Sequence, residues 1–470
     1  MKRIIPVLAA AAALLAGCAA PPAALPAATP TPGPAFAVPS GPTPASSFYQ
    51  LHSYDDSAGT LLYGQNRVIY QGPNEARFVE DAVSSQRTGY YRRVVAADAF
   101  HYELYDLDGT LLLDCGELAP LQRMGDWVLL GPASGADIYS CIDNYFYNLR
   151  TGEKKLPGHT GAERMAPGLY KVLTVDLQTG LSTGKLVDEA LDIIQDLSPY
   201  TCYPLADDPG YLELNGQVGE SWQSALYEIS TGRILTGLAA RCGPSLACFA
   251  AEGGYQVVEL ATGRELLHSE QSVLWYSDGL TAMVQPDGTV TLTASGSTYT
   301  GSNFYAQNGF AQLRSQEGDT FLFDLTGKLL GQFSQTEVSS LGSTKSGNVI
   351  LYLAGSEDSS VQLCSPTLER LTPAGRYADI SPLYTPLFNE SRLPYFTARR
   401  AGRPYQTSLY DILDQQGNIV LADLNQIYEH DEYGLAVRKG FRQGIMDWQG
   451  NWVYETSIFT GFEDEVESLW

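Results

Sequence analysis

The chain has 470 residues, 44% hydrophobic and 17% charged, which is enough to bury one core or several. Its formal net charge of −24 excludes nucleic acid as an expected partner, because phosphate binding needs a basic face. Its 29 Tyr and 46 Gly are the usage of many strands joined by tight turns.

The N-terminus reads as a targeting segment. Lys2-Arg3 is a charged start, and Ile4 to Leu15 is an apolar run too short to span a bilayer as a permanent helix. The run ends in Leu15-Ala16-Gly17-Cys18. In residue types, order and position it resembles a bacterial lipoprotein signal with its lipobox; the alternative is an ordinary secretory peptide with a chance cysteine. The resemblance implies a signal peptide over 1–17, cleavage before Cys18, and acylation of the Cys18 thiol and new amino group. Several acyl chains anchor stably where one does not. Residues 18–47 form an uncharged Ala/Pro/Thr/Ser-rich linker. Such a composition stays extended, and ~29 residues at polyproline rise reach up to ~90 Å. The linker suits a domain that must reach beyond the lipid surface, or it is simply the spacer that any tethered domain needs.

Residues 48–470 repeat. An apolar stretch, one or two polar residues, a glycine and a second apolar stretch recur as LYDLDGTLLL (104–113), FYNLRTGEKKL (146–156), VDLQTG (175–180), LYEISTGRIL (226–235), VVELATGREL (257–266), MVQPDGTVTL (283–292), FLFDLTGKLL (321–330), LYDILDQQGNIVL (409–421) and IMDWQGNWV (445–453). VQLCSPTLERL (361–371) keeps the apolar pattern and lacks the glycine. Each phrase predicts two strands across a tight turn. A third strand is expected before several of them, at 125–130, 278–284, 308–314 and 434–438. The fullest unit is 433–454, in which Leu435 and Val437 alternate with Ala436 and Arg438, Lys439-Gly440 turns, and Asp447 to Asn451 turns again. There the Asp447 carboxylate accepts backbone N–H groups and Gly450 takes a positive φ.

A lone hairpin cannot bury its face, so the units must stack on neighbours. The expected fold is therefore an all-β β-propeller of three- to four-stranded blades, with a linear solenoid as the alternative. The length allows roughly seven or eight blades of ~50 residues. In KLVDEALDIIQDL, Leu186, Ala190, Ile193, Ile194 and Leu197 fall at helical spacing. That run predicts either one inserted helix or a strand with a long hairpin.

Two family resemblances follow from these residues. The closing unit is similar to the WG-repeat family of bacterial proteins through Gly434, Ala436, Val437, Gly444, Asp447, Gly450, Asn451, Trp452 and Val453, and departs from it at Gln443, where the family's Trp would stand. That likeness implies an envelope or interaction repeat. YEISTGRIL, VELATGREL and YNLRTGEKKL resemble the blades of quinoprotein-type propellers. Members of that group include the lipoprotein of the Gram-negative barrel-assembly machinery, a protein-binding scaffold. The vicinal Cys pair of the quinone pocket is absent from the chain, so no cofactor is expected.

The strongest candidate site is a basic, aromatic patch: Arg392, Tyr395, Phe396, Arg399, Arg400, Arg403 and Tyr405. Arginine forks grip carboxylate or phosphate, and aromatics stack on sugar or side-chain faces. The competing reading is a hairpin whose arginines pair with nearby acids. Cys242 and Cys248, in RCGPSLAC, are a candidate disulfide across a Gly-Pro turn. Cys115, Cys141 and Cys364 read as buried apolar residues. His52, His101, His159, His268 and His430 are too far apart in sequence to make a local metal pair. Asp106, Asp108 and Glu117 have calcium-loop spacing, but Leu111 stands where that loop needs glycine, so a hairpin is predicted. Glu463 to Glu467 read as a solvated acidic tail.

The function expected from these features is a non-catalytic, lipid-anchored, extracytoplasmic protein at the cell membrane or outer membrane, with its propeller binding a protein or envelope polymer. The alternatives are a glycan- or peptidoglycan-directed propeller and a surface domain without a ligand. Catalysis on glycans would require paired carboxylates.

Overall fold

The computed structural model describes residues 47–52, 60–96, 99–132, 138–176, 179, 181–205, 208–354, 360–384, 392–402 and 408–456. Cys18, the linker up to residue 46, Arg403, Tyr405 and the acidic tail lie outside the described residues.

The fold class is the all-β one expected, with the repeated blade-like meanders of a β-propeller. Among the described residues there are eight sheets and one short 3-10 helix, Ile138–Asp143. Four of the sheets have four strands each, in simple sequence order. The eight-stranded sheet is a pair of four-stranded meanders joined by a single parallel bridge, Asp81 to Arg123.

The turns explain the repetition. In the commonest version an aspartate ends one strand and its carboxylate accepts the amides two and four residues on. Asp106 holds Asp108 and Thr110, Asp324 holds Thr326 and Lys328, Asp414 holds Gln416 and Asn418, and Asp447 holds Gln449 and Asn451, all at 2.8–3.0 Å. A second version, at 228–232 and 259–263, uses glutamate and threonine instead. The Thr231 and Thr262 hydroxyls donate to Glu228 and Glu259 at 2.7 and 2.6 Å. Both versions satisfy loop amides locally, so each hairpin closes without help from the rest of the chain.

The described residues fall into two compact units. One holds Leu205–Tyr211 and Gln223–Pro373. Its cores are shared between successive meanders: Leu280, Ala282 and Leu292 pack with Ala311, Leu313 and Phe323, while Phe310 and Leu322, on the other face, pack with Val338, Val349 and Leu351. Alternate residues thus serve opposite neighbours. Successive turns also meet closely. A Cβ on Gly279 would lie 1.9 Å from the Thr326 carbonyl oxygen, so only glycine fits.

The other unit holds the described parts of Pro34–Pro204, Leu212–Trp222 and Ala374–Trp470. Here the first strand, Phe48–His52, packs on the last meander, and Tyr49, Leu51, Leu61 and Tyr63 share a core with Ala436 and Ile445. Polar bonds fix the same junction. The Tyr49 hydroxyl donates to Asp431 at 2.7 Å, and the Gln50 amide donates to Glu429 at 2.7 Å. Arg87 holds Glu429 at 2.9 Å and the Phe48 carbonyl at 3.0 Å. Burial pushes the Asp431 carboxyl up, against the pull of Tyr49.

Two local expectations resolve here. The 185–197 run is not a helix: Ser182–Val187 and Ile193–Asp196 are antiparallel strands, with Leu186 opposite Gln195. Asp188 caps the turn through the amides of Ala190 and Asp192 at 2.9 Å. Ile193 and Ile194 are both about half exposed (53% and 52%), so the helical spacing marks no buried face. The Asp106–Glu117 stretch is the predicted hairpin, Ala99–Asp106 with Leu111–Gly116.

Candidate functional site

The expected basic patch lies on the strand Arg392–Arg400, and most of what is described there is committed to the fold. Tyr395 and Phe396 are buried, at 6% and 1% exposure. Consecutive strand residues face opposite ways, so both faces of this strand are covered. The Tyr395 ring stacks on Trp448 with centroids 4.5 Å apart. The expectation that these two rings meet a ligand is therefore corrected: they are core. Arg400 chelates the fully buried Asp411, Nε to Oδ2 at 3.1 Å and Nη2 to Oδ1 at 2.6 Å, and its Nη1 holds Asp423 at 2.7 Å. The Tyr377 hydroxyl also donates to Asp411 at 3.0 Å. Burial and the Asp411 charge push the Tyr377 phenol up to about 12. Arg399 is half-buried on the same strand and is itself engaged. Arg392 is in the strand, and Arg403 and Tyr405 fall outside the described residues.

The Cys242 and Cys248 thiols are both free, contrary to the expected disulfide. They share one buried cluster with Val257 and Val273. The strands Arg233–Gly243 and Leu246–Ala251 pair in a register that puts Cys248 opposite Ala240, not Cys242. Burial pushes the Cys242 thiol up to about 12. Cys141 and Cys364 are buried as expected. Among the described residues no group of His, Cys, Asp or Glu has the arrangement of a metal site.

A different part of the same unit is open. A pocket of about 590 Å³ is lined by Leu409, Asp423, Asn425, Lys439, Gly440, Arg442, Met446, Gly450 and Trp452. Its walls are the meander Gln426–His430, Gly434–Lys439, Arg442–Asp447 and Trp452–Thr456, together with the approach to it. The hairpin tip is tied down because Asn425 Oδ1 accepts the Gly440 amide at 2.6 Å. The Asp447 carboxylate and the positive φ of Gly450 (84°) shape the other end as predicted. Leu421 Cδ2 would sit 3.3 Å from a Cβ on Gly450.

The pocket lining brings cations and an aromatic ring together. Lys439 makes no ion pair among the described residues. Arg442 lies over the Trp452 ring, its Cζ 4.9 Å from the centroid, and is held by both Glu455 carboxylate oxygens, Nε to Oε1 at 2.9 Å and Nη2 to Oε2. That pairing holds the Glu455 carboxyl below its ordinary range. Phe441, between Lys439 and Arg442, is 67% exposed. Asp423 is the single carboxylate among the lining residues, and Arg400 holds it. Of the described side chains of the expected patch, Arg400 reaches this pocket, through that carboxylate.

In the sequence these residues read as a turn. The signal available was Lys-Gly-Phe-Arg, two cations flanking an aromatic at a hairpin tip. Gln443, at the position of the family's Trp, is buried and donates to the Tyr428 hydroxyl at 3.0 Å. Among the described residues no helix is long and apolar enough to cross a membrane.

Comparisons with known proteins bear on the same region. A family model described as a domain of unknown function (DUF5046) matches residues 376–465, a span that contains the pocket. A search of curated proteins finds no match. Among solved structures, the chain is similar to BamB from Moraxella catarrhalis at 15% identity, covering 60% of this chain and 92% of that one, with a TM-score of 0.27. It is similar to TolB from Acinetobacter baumannii at 16% identity, covering 70% and 77%, with a TM-score of 0.23. It is also similar to the computationally designed protein Ika8 at 17% identity, covering 58% and 92%, with a TM-score of 0.26. At these scores the likenesses carry no argument about sites or partners.

Proposed function

We propose that the chain is a non-catalytic binding protein whose site is the pocket at Lys439, Arg442 and Trp452, and whose ligand is an acidic segment of a partner protein. The observation that carries this reading is that Lys439 has no ionic partner among the described residues and lines a pocket whose one carboxylate among the described lining residues, Asp423, is held by Arg400. Glycoside hydrolysis needs two carboxyl groups at close range, and this lining offers one. A sugar would need an open aromatic face, and the Arg442 guanidinium lies over that of Trp452. A ligand carboxylate is served better, by the Lys439 ammonium and the Arg442 Nη1, since Glu455 takes the Nε and Nη2 of that guanidinium.

Anchoring through Cys18 belongs to the same proposal and places the domain outside the cytoplasm at a lipid surface. Incorporation of a palmitate analogue into the wild-type protein and not into Cys18→Ala tests the anchor. The ligand class is tested by fluorescence anisotropy with labelled oligoglutamate, oligolysine and an uncharged glycan chain. Binding of oligoglutamate that weakens with salt supports the proposal; preference for the glycan replaces it with a sugar-binding function.

A further inference from the structure

We infer that the pocket is occupied, in the absence of a partner, by this chain's own acidic tail, residues 457–470. The inference rests on the pocket being a binding site for acidic segments, and it names the first such segment to reach it.

Three observations carry it. The first is where the tail begins. The last strand ends at Thr456, which pairs with Gln443, the residue next to Arg442. The tail therefore departs beside Arg442. The second is length. The strand stretch from Arg442 to Met446 that walls the pocket spans about 13 Å, and the seven residues from Thr456 to Glu463 reach about 23 Å when extended. The tail can thus double back along the pocket with its acids still to spare. The third is chemistry. Residues 457–470 read SIFTGFEDEVESLW, with Glu463, Asp464, Glu465 and Glu467, no Lys or Arg, and Phe459 and Phe462 ahead of the acids. The pocket offers the matching set: a Lys439 without an ionic partner among the described residues, the Arg442 Nη1, and apolar surface from Leu409, Met446 and Trp452. Glu455, one residue before Thr456, already makes a contact of this kind with Arg442.

A tethered segment competes at an effective concentration set by its tether, which for a short linker is in the millimolar range. A partner's acidic segment must displace the tail, so the pocket favours ligands that bind well or arrive in several copies.

The test uses the full folded chain and two readouts. The first is zero-length carbodiimide coupling mapped by mass spectrometry. The expected product is an intramolecular amide between Lys439 and one of Glu463, Asp464, Glu465 or Glu467, formed with loss of water and absent in Lys439→Gln. The second is the affinity for oligoglutamate of the wild type and of a chain ending at Thr456. Removal of the tail is expected to tighten binding about tenfold, and Lys439→Gln is expected to abolish the gain. Equal, Lys439-dependent affinities for both chains, with no Lys439–tail amide, would overturn the tail proposal and leave the pocket reading intact. Oligoglutamate binding that ignores Lys439 in both chains would overturn the pocket reading itself.

Discussion

Two basic clusters lie in the same unit, and they differ in what holds their charge. Around Arg400, the guanidinium fork is closed on a fully buried Asp411 with Tyr377 adding a bond, and its last nitrogen is spent on Asp423. Around Lys439, the cations stand at a hairpin tip beside an exposed Phe441, and Lys439 has no ionic partner among the described residues. The first cluster is richer in arginine and aromatic rings, so it looks more like a site in the sequence. It is nevertheless the structural one. In a chain of net charge −24, a density of arginine marks where the acids are buried, and the cation left over is the one available to a ligand.

The contrast can be broken most forcefully at the aromatic residues of the first cluster. Tyr395→Ala is expected to lower unfolding stability by about 3–5 kcal/mol, the usual range for emptying a large aromatic site in a core. Urea denaturation measures it, and a loss near zero would return Tyr395 to the surface. Arg400→Met leaves Asp411 buried without its main counter-charge and is expected to cost about 3 kcal/mol by the same measurement. A neutral result would mean that Asp411 is satisfied without it.

A third variant addresses the junction of the first strand with the last meander. Burial raises the Asp431 carboxyl above its ordinary 3.8, so the folded state holds that proton more tightly than the unfolded chain does. The stability contributed by this group is present in full below the unfolded value and is lost as pH rises through the folded one. Asp431→Asn cannot titrate. Wild-type stability should therefore fall relative to the variant as pH rises above the ordinary carboxyl value and through the raised one, and parallel curves would show that Asp431 does not titrate differently on folding. The smallest stability change is expected at the second cluster: Lys439→Gln should stay within about 0.5 kcal/mol of wild type, since it breaks no bond.

The sequence carried the turns almost completely. Asp447 accepting the amides of Gln449 and Asn451, and Gly450 at a positive φ, follow from residue chemistry that acts over a few positions. The strands around them followed from alternation, as at Gly434–Lys439. What failed was of two kinds. Leu186 to Leu197 left a helix and a strand with a long hairpin both open; the helical spacing was chance, and Asp188, a turn former, decided for the hairpin. The site failed for a different reason. The partners that close Arg400 include Asp423, on the strand Ile419–Leu424, and the covering of Tyr395 comes from Trp448. Such pairings are set by how sheets stack and leave no trace in local spacing. The cation at Lys439 was visible in the sequence, but its lack of a partner was not.

The central claim is that the open cluster binds and the locked one does not. The measurement that tests it most directly is the affinity of oligoglutamate, at low salt, for wild type, Lys439→Gln and Arg399→Gln, each first shown to be folded. The account predicts a loss of about tenfold for Lys439→Gln, the worth of one well-placed charge-assisted bond, and no change for Arg399→Gln. The reverse ranking would place the site on the arginine-rich strand and contradict the account.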